Sequence, residues 1–302
     1  MAGFHTLDTA PALKDAPVGT RVLLRGDLNV PMRNGKVSDA TRIGRLAPTI
    51  IELADAGCRV VVMSHFDRPN GKIVAKMSLK PLLEPLRTAL GGRDVAFASD
   101  CVGQTAQEVI DALAPGGIAL LENLRFHGGE ETNDPSFIKA LAALGEVFVN
   151  DAFSAAHRAH ASTEGLPHVL PAAAGRLMQA ELEALDAALG NPTRPVAAIV
   201  GGAKVSTKLN VLTHLVDRVD RLIIGGAMAN TFLHALGTDV GASLCERDMA
   251  PTARDVMAIA DEAGCKIILP SDVVIAAKLE AGAPCLNVPV AAVPSDQLIL
   301  DV

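Results

Sequence analysis

The 302-residue sequence has no tryptophan and no tyrosine, and its carbocyclic rings are eight phenylalanines. Without those two residue types it has no platform on which single-stranded bases would stack, and a formal charge of −7 also argues against a nucleic-acid partner. Cysteine is sparse: Cys58, Cys101, Cys245, Cys265 and Cys285 are scattered, with no C-x-x-C pair. An odd, scattered set does not build a disulfide framework, so these thiols read as small buried apolar residues in a reducing compartment. No stretch reaches the ~18 apolar residues of a membrane helix, and the start at Met1-Ala2-Gly3-Phe4 lacks a basic region followed by an apolar one. A cytoplasmic location without a membrane partner is expected. Neither G-x-x-x-x-G-K-[ST] nor G-x-G-x-x-G occurs.

What is present is a length suited to two α/β domains and 49% hydrophobic residues without low-complexity tracts. Apolar strand-like runs alternate with helical patterns at Arg21–Arg25, Arg59–Met63, Ile118–Leu121, Val147–Val149, Val196–Val200, Arg221–Ile224 and Lys266–Leu269. That alternation implies βαβ units in a mostly parallel sheet, and such sheets bind ligands at the carboxyl ends of their strands.

The residues following each strand are polar or basic. Gly26-Asp27-Leu28-Asn29 follows the first, Ser64-His65-Phe66-Asp67-Arg68 the second, Glu122-Asn123-Leu124-Arg125 the third, and Asn150-Asp151-Ala152-Phe153 leads to His157-Arg158-Ala159-His160. Between Arg21 and Arg45, six Lys or Arg (Arg21, Arg25, Arg33, Lys36, Arg42, Arg45) stand against Asp27 and Asp39, a local charge of +4. Any single one of these arginines reads as a solvated loop charge. Arg42, His65, Arg68, Arg125 and Arg158 converging from separate strand ends would repel one another unless an anion joined them.

A second anion site is suggested by Val196–Leu212, which reads as a strand buried on both faces, a Gly201-Gly202 turn and a helix on which Val205, Leu209 and Leu212 are spaced. Lys204 and Lys208, four apart, would share another face of the first turns, where the helix dipole disfavours cations and a phosphate would remove the conflict. An ordinary βα turn with two solvated lysines fits the same pattern. His157 and His160 lack further ligands at metal-binding spacing and read as polar loop residues. Asp134 before Pro135 reads as a helix cap. Arg176–Leu189, closed by Gly190-Asn191-Pro192, reads as a helix connecting two domains.

Taken in order, these segments resemble phosphoglycerate kinases over the whole chain. The resemblance is carried by Arg25-Gly-Asp-Leu-Asn-Val-Pro31, Asp39-Ala-Thr-Arg-Ile43, Ser64-His-Phe-Asp-Arg-Pro69, Leu121-Glu-Asn-Leu-Arg-Phe126, Asn150-Asp-Ala-Phe153 with His157-Arg-Ala-His160, Gly201-Gly-Ala-Lys-Val205 with Lys208, and Ile224-Gly-Gly-Ala-Met-Ala-Asn-Thr-Phe232. It implies two Rossmann-like parallel-sheet domains joined by a helix: residues 1–175 binding phosphoglycerate, the helix at 176–190, and 191–302 as an incomplete nucleotide-binding domain.

By that resemblance Asp27, Asn29, Arg42, His65, Phe66, Asp67, Arg68, Arg125 and Arg158 would bind 3-phosphoglycerate or 1,3-bisphosphoglycerate. Gly201, Gly202, Ala203, Lys204, Lys208, Gly225 and Gly226 would face ADP or ATP. Magnesium would accompany the nucleotide with no metal ligand from this chain, Arg42 and Lys204 would be catalytic, and the protein would be a monomer. A carboxyl group that attacks or leaves needs no general base at neutral pH, so cations that align the substrates and offset phosphoryl charge are what the reaction demands. The sequence departs from the family at Asp67, where glycine is commoner, and at its end, since the family continues past Val302 through further nucleotide-binding segments. Turnover by these 302 residues alone is therefore expected to fall short of the family's rate, and a relative that binds phosphoglycerate without transferring phosphate is the competing reading.

Overall fold

The computed structural model describes residues 3–190 and 192–302. Met1, Ala2 and Asn191, which belong to the expected N-terminal and helix-stop signals, lie outside them. The chain forms two compact units, Met1–Ala184 and Leu185–Val302.

The first unit is built on a six-stranded parallel sheet in the order Ala96–Phe97, Ile118–Leu120, Arg59–Met63, Arg21–Arg25, Val147–Asn150, Ala172–Ala174. The central strand shows why both faces must be covered: Val22, Leu23 and Leu24 are all fully buried. Val22 and Leu24 enter one core with Ile43, Leu46 and Ile50 of the helix Thr41–Asp55. Leu23 points the other way, into a core with Ala106 and Ile110 of Gly103–Asp111 and Phe137 and Leu141 of Pro135–Ala142. The last of these helices starts where the sequence placed its cap, the Asp134 carboxylate accepting from the amides of Ser136 and Phe137.

Register then decides where the site lies. Arg25 pairs with Met63 on one side and Asn150 on the other, and Val62 pairs with Leu120. Four chain segments therefore leave the sheet at the same end.

The second unit has a three-stranded parallel sheet, Lys266–Ile268, Arg221–Gly225, Ala197–Gly201, over a core that includes Leu212, Val216, Leu222, Ile224, Met228 and Phe232. The strand at Ala197–Gly201 is not buried on both faces as its composition suggests. Ile199 is 78% exposed, because among the described residues this strand pairs only with Arg221–Gly225 and stands at the sheet edge. An antiparallel sheet of Leu286–Pro289, Asp272–Ala276 and Leu298–Asp301 was not anticipated.

The helix expected to connect two domains is α-helical over Arg176–Leu185 and widens into a π turn over Asp186–Gly190. All five cysteines are free, and Cys58, Cys101 and Cys265 are buried as expected, but Cys245 is half-buried and Cys285 exposed. No described helix is long and apolar enough to cross a membrane.

Candidate active site

At the carboxyl end of the first sheet, the loop after Arg25 is ordered by its own polar groups. Asp27 accepts from the Asn29 amide at 3.1 Å, from the Ser154 hydroxyl and from Arg42 Nη1 at 2.5 Å, while Arg42 Nη1 also lies 3.3 Å from the Asn29 carbonyl oxygen. Arg42 is thus aimed by an acidic residue from a different segment, with half of its side chain still exposed. An open cleft of about 230 Å³ lies beside it, lined by Asp27, Arg42, Arg45, Ser154 and Glu181 among others.

The next loop is tied to the first. Asn29 Oδ1 accepts from the Asp67 amide at 3.0 Å, and Arg125 Nη1 donates to the Asp67 carbonyl at 2.8 Å. Asp67 stands at φ +53°, in the left-handed region. The preference for glycine here has a backbone cause, and aspartate is among the few other residues that tolerate it. The Phe66 ring is buried in the core, and its amide donates to Asn123 Oδ1.

Below these loops sits a buried polar layer. Arg25 is only 1% exposed; it donates from Nε to Ser162 Oγ (2.9 Å), from Nη1 to the Gly26 carbonyl and from Nη2 to His65 Nδ1 (3.0 Å). Because guanidinium only donates, His65 Nδ1 must be the acceptor, which puts the ring proton on Nε2. Burial first, then the charges of Arg25, Arg125 and Arg158, push His65 down to about 2, so the ring is a neutral donor at physiological pH.

Burial first, then the neighbouring charges of Arg158 and Arg68, lowers the proton affinity of Arg125, and Arg125 and Arg158 both act on His65. Arg125 has an acidic neighbour in Glu131 at 3.2 Å. Arg68 and Arg158 have none within 4 Å among the described residues. Of the six cations between Arg21 and Arg45, Arg25 and Arg42 belong to this cluster and Arg45 lines the adjoining cleft. Arg21 pairs with Glu146 at the opposite end of its strand, and Arg33 and Lys36 form an exposed hairpin.

Arg25, Asn123, Glu130 and Ser162 stand beside these groups without a motif in the sequence that marks them as site residues. An arginine at the end of Val22-Leu23-Leu24 could have been flagged by its apolar run. Buried Asn123 welds two loops, accepting from the amides of Phe66 and Arg125 and donating to the carbonyls of Phe66 and Met77.

In the second unit, Gly201 pairs with Gly225 at the ends of neighbouring strands. Gly226 has φ +64°, and a Cβ there would lie 3.1 Å from the Gly202 oxygen, so the two glycine turns meet backbone to backbone. Gly226 is also the cap of the helix Ala227–Ala235. The lysines differ from expectation: the helix begins only at Leu209, with Lys208 at its N-cap and Lys204 in the preceding turn. The cause is Ser206, whose amide and hydroxyl bind Glu246 at 3.1 and 2.6 Å and hold the segment as a turn. Ala203, Lys204 and Lys208 are exposed.

These features define a two-unit parallel α/β protein with a cationic strand-end site in one unit and paired glycine turns in the other. The family model for phosphoglycerate kinase matches residues 13–302. The phosphoglycerate kinase of Chelativorans sp. is 61% identical over 302 residues, covering the whole chain and 75% of that relative, and the one from Caulobacter vibrioides is 59% identical over 298 residues, covering 74% of it. The solved structure of phosphoglycerate kinase from Coxiella burnetii superposes with a TM-score of 0.84 at 41% identity, covering 96% of this chain and 73% of that one; the Pyrococcus horikoshii structure does so at 0.75 and 29%, covering 96% and 74%. The chain belongs to the phosphoglycerate kinase family and is a phosphotransferase.

Proposed function

We propose that the chain transfers a phosphoryl group reversibly between the acyl phosphate of 1,3-bisphosphoglycerate and ADP, giving 3-phosphoglycerate and ATP, as a monomer in the cytoplasm. The observation that carries this reading is the gathering of Arg25, His65, Arg68, Arg125 and Arg158 beside an Asp27-anchored Arg42. So many arginines without equal acidic company, with a neutral imidazole N–H among them, favour an anion carrying several charges.

Asp27, Asn29, Arg42, His65, Asp67, Arg68, Arg125 and Arg158 form the phosphoglycerate side, Asp67 through its backbone. Phe66 serves from the core. His65 offers a neutral Nε2–H, the arginines offer charge, and Arg42 is the cation best placed by a partner to meet the transferring group. Since the acceptor is a carboxylate, alignment and charge neutralisation replace acid–base catalysis.

Gly201, Gly202, Gly225 and Gly226, with Ala203, Lys204 and Lys208, form the nucleotide side. The absence of side chains at the glycine crossing leaves backbone open to a phosphate, and the lysines supply mobile charge. Magnesium would arrive on the nucleotide, which with water provides most of its ligands. Asp100, Cys101 and His127, the metal-capable trio within 4.8 Å among the described residues, offer a buried thiol and an imidazole, which suit softer ions.

The test is ATP formation from 1,3-bisphosphoglycerate, ADP and magnesium. Lys204→Ala should lower kcat more than it raises the nucleotide KM, and Lys208→Ala the reverse. An unchanged kcat in Lys204→Ala would remove that residue from the reaction.

A further inference from the structure

We propose that Glu130 and Ser162 are positioning residues of the phosphoglycerate site, acting through Arg25 to hold His65 in its Nε2–H tautomer with that proton presented to the ligand. The inference rests on the reading of His65 as a ligand-binding residue. Neither Glu130 nor Ser162 has any exposed surface, so they act through other groups.

The available protons fix the direction of each bond. Glu130, in the short helix Gly128–Glu131, accepts from the Ser162 amide at 3.0 Å through Oε2 and from the Ser162 hydroxyl at 2.6 Å through Oε1. A hydroxyl has one proton, and with that proton on Glu130 the Ser162 oxygen can meet Arg25 only as an acceptor. Arg25 Nε donates to it at 2.9 Å, and the same guanidinium, planar and rigid, is thereby oriented so that Nη2 reaches His65 Nδ1 at 3.0 Å. Each bond in the series has one allowed direction. The series ends on an imidazole with its lone pair facing inward and its N–H left for the site.

Charge supports the same assignment. A guanidinium this deeply buried needs a counter-charge, and Glu130 is the largest of the carboxylates acting on Arg25, ahead of Asp27. Ser162 separates the two ions and converts their attraction into an orientation. His65 lies in the loop that follows the strand paired with that of Arg25, while Glu130 and Ser162 come from segments more than 60 residues further on, so the network also joins separate parts of the unit.

The opposing possibility is that Glu130 is a background charge. The two ideas predict effects of opposite sign, because deleting a nearby negative charge tightens an anion site, whereas deleting an orienting partner loosens it. Calorimetric titration of 3-phosphoglycerate into Glu130→Gln and Ser162→Ala, with imidazole ¹⁵N spectra of His65, separates them. We expect affinity to fall about tenfold in both variants, as losses of orienting outer partners do elsewhere. The nucleotide KM should stay unchanged, and His65 should lose its single-tautomer signature. Tighter binding by Glu130→Gln, or an unaltered His65 spectrum in Ser162→Ala, overturns the proposal; the second variant carries the test if the first does not fold. His65→Ala is the control: undiminished binding there refutes the role of His65 itself, whereas weakened binding there with normal binding by Ser162→Ala refutes only the relay.

Discussion

Arg125 donates to the carbonyl oxygen of Asp67 across 2.8 Å and so clamps a residue whose backbone lies at φ +53°. The loop is held by its main chain: the Asp67 amide is engaged by Asn29 and its carbonyl by Arg125. Its side chain is therefore open to replacement wherever the new residue accepts the left-handed conformation.

Asp67→Gly should keep stability within about 1 kcal/mol of the parent, since relief of the backbone offsets greater freedom in the unfolded chain. Asp67→Val should cost about 1–2 kcal/mol. Denaturant unfolding of both variants checks this, and equal stabilities would contradict a conformational cause. At low salt the glycine variant should also bind 3-phosphoglycerate more tightly, having lost a negative charge beside the cluster.

His65 supplies a pH prediction whose sign follows from its low proton affinity. Its value in the folded protein is about 2 against an ordinary 6.5, so in that window the unfolded chain binds the proton more readily. The stability due to the neutral ring is complete above 6.5 and is lost progressively as pH falls below it. Unfolding curves between pH 7 and 5 should show a shallower loss for His65→Gln than for the parent. Parallel losses would mean that His65 titrates normally.

Much of the site was legible because its residues follow strands, and strand ends in parallel sheets are where chemistry collects. What was not legible came from contacts between distant segments. Nothing near Lys204 announces that Glu246 will seize Ser206 and delay the helix to Leu209. The run Val196–Val200 has the composition of a covered strand, yet composition does not say whether a strand is central or at an edge. Arg25 looked like one charge among six, and only the register that sets it against Met63 and Asn150 shows it to be buried beneath the others. The antiparallel sheet of Asp272–Asp301 escaped notice because its strands are short and punctuated by proline and glycine.

Gly226 tests the glycine crossing. Gly226→Ala must adopt φ +64° and put its Cβ 3.1 Å from the Gly202 oxygen, so it should destabilise the second unit by about 1–3 kcal/mol and raise the KM for ADP. Gly237→Ala, at φ +88° with nothing within 4 Å, should carry the backbone cost alone and leave that KM unchanged. If Gly226→Ala also leaves it unchanged, the crossing has no part in nucleotide binding.

The cationic cluster is tested most directly by calorimetric titration of 3-phosphoglycerate. Charge-assisted contacts to phosphate or carboxylate contribute about 1.5–3 kcal/mol each. Arg42→Ala and Arg68→Ala should each weaken binding by roughly ten- to a hundredfold at fixed salt. Affinity unchanged in both variants would contradict the assignment of this cluster as the phosphoglycerate site.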